Sequence, residues 1–371
     1  MKRARRSLLC LTALGFVALL SGIPATSEEV GSPLKKGLAL GEKEVVPVPH
    51  ALDRMKHHPP EAQKPDPRKG IPPAVAQEGL VFCGERIPLE RLDILQRIEY
   101  QINYLLTDFL DTTRIWLKRK DRYGQAVRKV LAEEGLPDEF VLIPALESGY
   151  SSSAVSQARA GGWWQFVRPT AARSNSSAKG LEWTLEVNEL KDERQDLTTS
   201  TRAAARYLKY MRSRLGDDNS EQGSWLTAAA AYNAGLSETV RRVSAYDTSS
   251  YWDMKLPLET EEYVPRWIAL FLIGTNREYY GIHVPRVRAL EFETLEKIRL
   301  EKDLPLKVLA SLTASSVRDL RGLNGALRNG EHSFKARRGS SGLVHTIHVP
   351  MGCRESVMKD LRSRAYLKDS F

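Results

Sequence analysis

The chain has 371 residues, 42% of them hydrophobic, enough to bury a sizeable core and to form two folded units plus a tail. The formal charge of +9 is spread among interspersed acids, with no basic arm or nucleic-acid reading motif, which argues against nucleic acid as a partner. No histidine or cysteine lies between Cys83 and His283, so Ser-His-Asp and Cys-His chemistry is excluded from the central region. Carboxylate, tyrosine and lysine are left for acid and base work.

Lys2, Arg3, Arg5 and Arg6 precede an apolar run from Leu8 to Leu20, and Ser21, Gly22, Pro24 and Ala25 follow. This order reads as a secretory signal peptide over residues 1–27, which places the mature chain in the periplasm or cell envelope. An uncleaved N-terminal membrane anchor is the alternative. Residues 28–80 are rich in Pro, Lys, Glu and Gly without an apolar period and read as a disordered linker, with His57 and His58 as a solvated pair inside it. Of the cysteines, Cys10 sits beside Leu9 and does not read as a lipid-attachment site, whereas Cys83 and Cys353 fit either a disulfide or two free buried thiols. Neither has a zinc spacing, and no metal or cofactor is expected.

From Leu89 to Leu117 apolar residues recur at helical spacing, which predicts one long amphipathic helix ended by Arg119, Lys120 and Asp121. A second helix, Tyr123 to Glu134, should stop at Gly135 with Pro137 just beyond, completing an N-terminal helical region over 81–135. Asp138 is the expected cap of a short, almost wholly apolar helix from Phe140 to Leu146 that delivers Glu147 at its C-terminal end. A loop rich in Ser and Gly then leads to Trp163, Trp164 and Gln165. Apolar company and the negative end of a helix dipole both favour the protonated form of Glu147, which describes a general acid. A solvated helix-end residue fits the same pattern.

Pro169 and Thr170 mark another helix start. Asp196 or Thr198 should cap a helix running through Met211 to Gly216, and its alanines allow close packing. The run Trp225 to Gly235 is so poor in bulk that it must lie buried, and it places Tyr232 and Asn233 at its end. Leu256 to Ile273 reads as a helical hairpin broken near Pro265. Beyond residue 290, a strand from Phe292 to Leu300, helices Pro305 to Leu312 and Ser316 to Leu327, and a closing strand Leu343 to Val349 give a small α+β unit over 290–355, with a tail at 356–371. His345 and His348, at odd spacing on that strand, should face opposite sides.

Five groups stand in order: Glu147-Ser148; Ser156 with Gly162, Trp164 and Gln165; Asp192 and Arg194 leading to Ala205-Arg206-Tyr207-Leu208; Ala231-Tyr232-Asn233-Ala234-Gly235; and Glu259-Thr260 with Tyr263-Val264. This resembles the soluble-type lytic transglycosylase (SLT) domain of glycoside hydrolase family 23 across roughly residues 81–280. The resemblance implies a mainly α fold, with a lysozyme-like catalytic domain at 136–285 behind a preceding long helix. It implies cleavage of the β-1,4 bond between N-acetylmuramic acid and N-acetylglucosamine in peptidoglycan, giving 1,6-anhydro ends. Glu147 would act first as acid and then as base. Ser148, Ser156, Trp164, Gln165, Tyr232, Asn233, Glu259 and Tyr263 are the expected substrate contacts or supports, with Trp163 and Trp225 as packing residues. Asp192 is expected to be structural.

Arg159 stands where many relatives carry Gly; if that position needs positive φ, the substitution costs about 1 kcal/mol. The β-α-α-β unit with Asn324 after its second helix resembles a degenerate LysM module, which holds N-acetylglucosamine-containing glycans; a structural cap on the catalytic domain is the other reading. The modest positive charge suits peptidoglycan glycan strands in an anionic wall. A goose-type lysozyme that hydrolyses the same bond and a non-catalytic wall-binding scaffold are the competing functions.

Overall fold

A computed structural model describes residues 70–172, 182–216, 223–328, 331–336 and 343–367. The expected signal peptide and residues 28–69 of the expected linker lie outside them. Order begins earlier than Val81: helix α1 (Pro73–Glu78) precedes the hairpin β1 (Leu80–Phe82) and β2 (Glu85–Ile87). Ile71 packs on the main core, and Tyr280 donates from its hydroxyl to the Gly70 carbonyl at 3.2 Å. These contacts come from the far end of the domain, which is why the local composition did not show them.

The expected long helix is two. Helix α2 (Leu92–Leu106) ends where Thr107 turns to ψ −83°, and α3 (Leu110–Glu133) then runs through both predicted segments. Thr113 Oγ1 bridges the break by donating to the Leu105 carbonyl at 2.9 Å. The charged run at 119–121 does not end a helix, because Arg119 and Asp121 find partners across the fold and Lys120 pairs with Asp121 at 3.3 Å. Arg119 reaches the Gly149 carbonyl at 2.7 Å, and Asp121 pairs with both outer nitrogens of Arg277 at 2.7 Å. Helix α3 stops as expected at Gly135, where φ is +72°.

After a 3-10 turn at Asp138–Leu142 come α4 (Ile143–Ser148), α5 (Arg168–Ala172), α6 (Leu197–Arg214), α7 (Trp225–Ala234), α8 (Leu236–Tyr246) and α9 (Leu258–Thr275). In α7, Ala228 to Ala231 are at most 1% exposed, and their small side chains let α6 and α9 approach on two sides. The expected hairpin around Pro265 is the single helix α9. Proline there orphans the carbonyl four residues earlier. That carbonyl, of Glu261, instead accepts from Arg97 Nη2 at 2.5 Å and from the Tyr251 hydroxyl at 2.8 Å. Trp267 anchors the same helix, its ring 4.7 Å from Phe82 and from Phe140, with Nε1 donating to the Glu139 carbonyl at 2.9 Å.

The C-terminal unit has its own core, built from Leu295, Leu306, Leu309, Leu320, Ile347 and Val349 among others. Its order is β3 (Phe292–Arg299), β4 (Leu304–Pro305), α10 (Leu306–Leu312), α11 (Val317–Leu323), β5 (Ser333–Phe334), β6 (Val344–Pro350) and α12 (Arg354–Ser363). Strands β3 and β6 pair antiparallel, with a register shift between Leu295 and Ile298. The residues expected as a tail form most of α12, which buries Val357 and Leu361. No disulfide joins the two units: Cys83 lies in the main core, Cys353 packs against the small one, and both thiols are free.

A buried polar seam joins the units. Asp196 caps α6 with Oδ1, accepting from the Thr199 amide at 2.8 Å, while Oδ2 meets His348 Nε2 of β6 at 2.6 Å. The side chains are 1% and 0% exposed, and Thr294 Oγ1 meets the other ring nitrogen at 3.0 Å. Burial would raise the Asp196 carboxyl, but His348 and the Thr199 amide outweigh it and hold the group at about 2. A depressed carboxyl adds stability that is present in full above the unfolded value of 3.8 and lost as pH falls toward about 2. Replacing His348 by Ala strands a buried charge, with an expected loss of about 3 kcal/mol in denaturant melts at neutral pH. Asp196→Asn should flatten the acid limb of the stability curve.

Candidate active site

Helix α4 is short because Gly149 ends it in the left-handed region at φ +61°, its amide bonding back to the Ala145 carbonyl at 3.0 Å. Arg119 caps the same turn at the Gly149 carbonyl. The expected cap at the other end is absent: Leu142 precedes α4 without a side-chain cap, and Asp138 opens the 3-10 turn before it and pairs with Arg128 at 2.7 Å. Ile143, Pro144 and Ala145 bury the inner face of α4, leaving Glu147 on its last turn, partly buried.

The chain then folds back as a hairpin whose bridges join Val155 to Gly161 and Gly161 to Phe166. Two of its carbonyls are held from different helices. Ser148 Oγ donates to the Trp163 carbonyl at 2.8 Å, and the Tyr232 hydroxyl at the end of α7 donates to the Trp164 carbonyl at 2.6 Å. Helix α9 supplies the remaining contact, the Tyr263 hydroxyl donating to Glu147 Oε1 at 2.6 Å.

Burial raises the Glu147 carboxyl to about 7; the Tyr263 hydrogen bond opposes this, and the charge of Glu259 adds to it. Burial, and after it the Glu147 charge, push the Tyr232 and Tyr263 phenols well above their ordinary value, so both serve as donors. A carboxyl that titrates near neutrality beside a permanent donor can give a proton and take one back.

Residues 127–255 match the family model described as the transglycosylase SLT domain. The match covers about a third of the chain. The chain is 27% identical over 214 residues to membrane-bound lytic murein transglycosylase D of Escherichia coli strain K12, and equally so to the protein of that name from E. coli O6:H1. The matched stretch is 57% of this chain and 44% of each relative, so the chain spans under half the length of these two relatives.

The expected residues divide. Glu147, Tyr263, Tyr232, Asn233 and Glu259 converge. Asn233 Nδ2 lies 3.5 Å from Glu259 Oε1, and its Oδ1 accepts from Thr260 Oγ1 at 2.7 Å. Glu259 itself is exposed on the first turn of α9. Trp164, expected to stack on sugar, is 0% exposed, its Nε1 donating to Thr201 Oγ1 at 2.9 Å, so it is a core residue with no face for a ligand. Ser148 is likewise buried and spent on the hairpin. Ser156 closes the hairpin tip, its Oγ accepting from the Ala160 amide at 3.1 Å. Gln165, at φ +50°, donates to the Ala154 and Gly162 carbonyls at 3.2 and 2.8 Å. Arg159 does sit at positive φ, +58°, and bears the strain the sequence implied. Trp163 and Trp225 pack as expected, each 7% exposed. The cap supplied by Arg119 had no signal in the sequence, because α3 carries many basic residues at similar spacing.

No cluster of three or more His, Cys, Asp or Glu suited to a metal occurs among the described residues. A raised carboxyl costs stability as pH climbs from about 4.5 to about 7, since the native state holds a proton that the unfolded chain releases. Glu147→Gln should therefore gain on wild type across that window, by up to about 3 kcal/mol in paired denaturation curves. Tyr263→Phe should move the Glu147 titration upward, and Glu259→Gln should move it down.

Proposed function

We propose that the protein is a peptidoglycan lytic transglycosylase. It cleaves the β-1,4 bond between N-acetylmuramic acid and N-acetylglucosamine, with Glu147 as the single acid and base. The observation that carries this reading is one partly buried carboxyl, titrating near 7 and hydrogen-bonded only to Tyr263 among the described residues, with no second carboxylate placed as its equal. Asp192 is locked in a bidentate pair with Arg194, and Glu259 is solvated. A glycosidase of the two-carboxylate kind needs a partner group across the sugar.

In the first half the protonated Glu147 gives its proton to the glycosidic oxygen as the bond from that oxygen to C1 of the muramic acid breaks. In the second the carboxylate takes the proton of the sugar's 6-hydroxyl, whose oxygen closes on C1. The proton lost in one half returns in the other, and no water is consumed. The Tyr263 hydroxyl steadies the carboxylate between the halves. Tyr232, Asn233 and Glu259, grouped around Glu147, are the contacts for hydroxyl and acetamido groups. The relatives' name, membrane-bound lytic murein transglycosylase D, supports the substrate class and an envelope location. Among the described residues no helix is long and apolar enough to cross a membrane. The small unit fits a LysM-like cap that lies against the domain.

Mass analysis of the fragments released from purified sacculi tests the reading: the ends should be 1,6-anhydro sugars. Glu147→Gln should cut release by about a hundredfold to ten-thousandfold while strand binding persists. Reducing ends would identify a hydrolase of the goose-type lysozyme kind, and binding without any cleavage a scaffold.

A further inference from the structure

Arg194 and Asp192 form a buried pair that the mechanism does not use. The guanidinium, in a residue 5% exposed, takes Asp192 in two bonds, Nε to Oδ1 at 2.9 Å and Nη2 to Oδ2 at 2.8 Å. Its remaining nitrogen, Nη1, spans the hairpin, donating to the Arg159 carbonyl at 3.0 Å and the Phe166 carbonyl at 2.9 Å. The plane lies on the Gly161 backbone, where a Cβ would meet Cζ at 2.9 Å, and at Gly162 a Cβ would fall 1.8 Å from the Arg194 carbonyl oxygen. That oxygen accepts from the Trp163 amide at 3.2 Å, and the next carbonyl, of Gln195, accepts from Trp163 Nε1 at 2.8 Å. The hairpin that Ser148 and Tyr232 grip from the Glu147 side is therefore gripped from behind by residues 192–195.

Those residues are in turn seated on the C-terminal unit. The Asp192 amide donates to the Ala326 carbonyl at 2.7 Å, Arg328 Nη2 lies 3.5 Å from Asp192 Oδ2, and Arg328 Nε donates to the Asn188 carbonyl at 2.9 Å. Gly325 touches the Gln195 backbone so closely that a Cβ would lie 2.7 Å from its carbonyl oxygen. A module joined only to hold glycan at a distance has no need of contacts of this kind.

We propose that Arg194 is a positioning residue through which the C-terminal unit braces the 155–166 hairpin against Glu147, making that unit part of the working active site. The inference rests on the transglycosylase reading above. A misplacement of about 1 Å at a reacting centre costs up to roughly a hundredfold in rate, and the brace acts over just such distances.

The test uses the full chain and soluble uncrosslinked glycan strands, with kcat and KM from anhydro-sugar release, melting temperatures, and amide hydrogen exchange across residues 155–166. Arg194→Gln should lower kcat about tenfold to a hundredfold with KM within about twofold, and Arg194→Lys should recover part of the loss. Gly325→Ala, which presses on the Gln195 carbonyl from the small unit and otherwise meets Ser152 Cβ only at an ordinary contact distance of 3.9 Å, should lower kcat about threefold to tenfold and speed exchange in the hairpin while the protein stays folded at the assay temperature. Unchanged kcat and exchange in Gly325→Ala overturn the brace, as does an Arg194→Gln loss that follows melting alone and is not relieved by Lys. Wild-type protein that yields no anhydro ends while hairpin exchange still responds to Gly325→Ala would count against the proposed reaction and leave the brace standing.

Discussion

A partly buried carboxyl group, with a phenol as its hydrogen-bond partner, sets the terms for the rest of this fold. Desolvation of Glu147 disfavours its charge, and every tenfold weakening of the acid corresponds to about 1.4 kcal/mol that the surrounding structure must absorb. The Tyr263 bond limits this rise, so the group stops near 7, where both protonation states are populated under physiological conditions. Without burial the group would be a permanent anion unable to donate, and with burial alone it would hold its proton too firmly to act as a base.

Three helices share the task of keeping that balance. Helix α4 is stopped at Gly149 with Glu147 on its last turn, α7 ends at Tyr232 against the Trp164 carbonyl, and α9 carries Tyr263 across from them. The buried indole of Trp164 pins the hairpin to α6 through Thr201. Its bulk excludes water from behind the site, a different contribution from the sugar stacking its sequence context implied. The strain accepted by Arg159 in the left-handed region fits the same picture, since its carbonyl is one of two that Arg194 holds.

Local patterns carried much of this design. Asp196 caps its helix, the alanine run forms a buried helix, and Glu147 lies at the end of a short apolar one, all features encoded within a few neighbouring residues. The misses have a common cause in partners far along the chain. Pro265 reads as a break until Arg97 and Tyr251 satisfy the Glu261 carbonyl, and Arg119 and Asp121 read as an end until Gly149 and Arg277 receive them. Helix α8 was not anticipated, although Leu236, Val240 and Val243 stand at helical spacing. His348 looked like one of two unremarkable strand histidines, and only the tertiary fold brings it to Asp196. Packing likewise decides which tryptophan face is free, and no spacing rule reports it.

The titration of Glu147 is the most direct measure of the central claim. With glutamate carboxyl carbons labelled and the Glu147 resonance assigned by its absence in Glu147→Gln, an NMR pH titration of the free protein should show a midpoint near 7. A midpoint near the ordinary value of 4.5 would mean that water reaches the group freely, and the single-carboxyl mechanism would then have no physical basis in this fold.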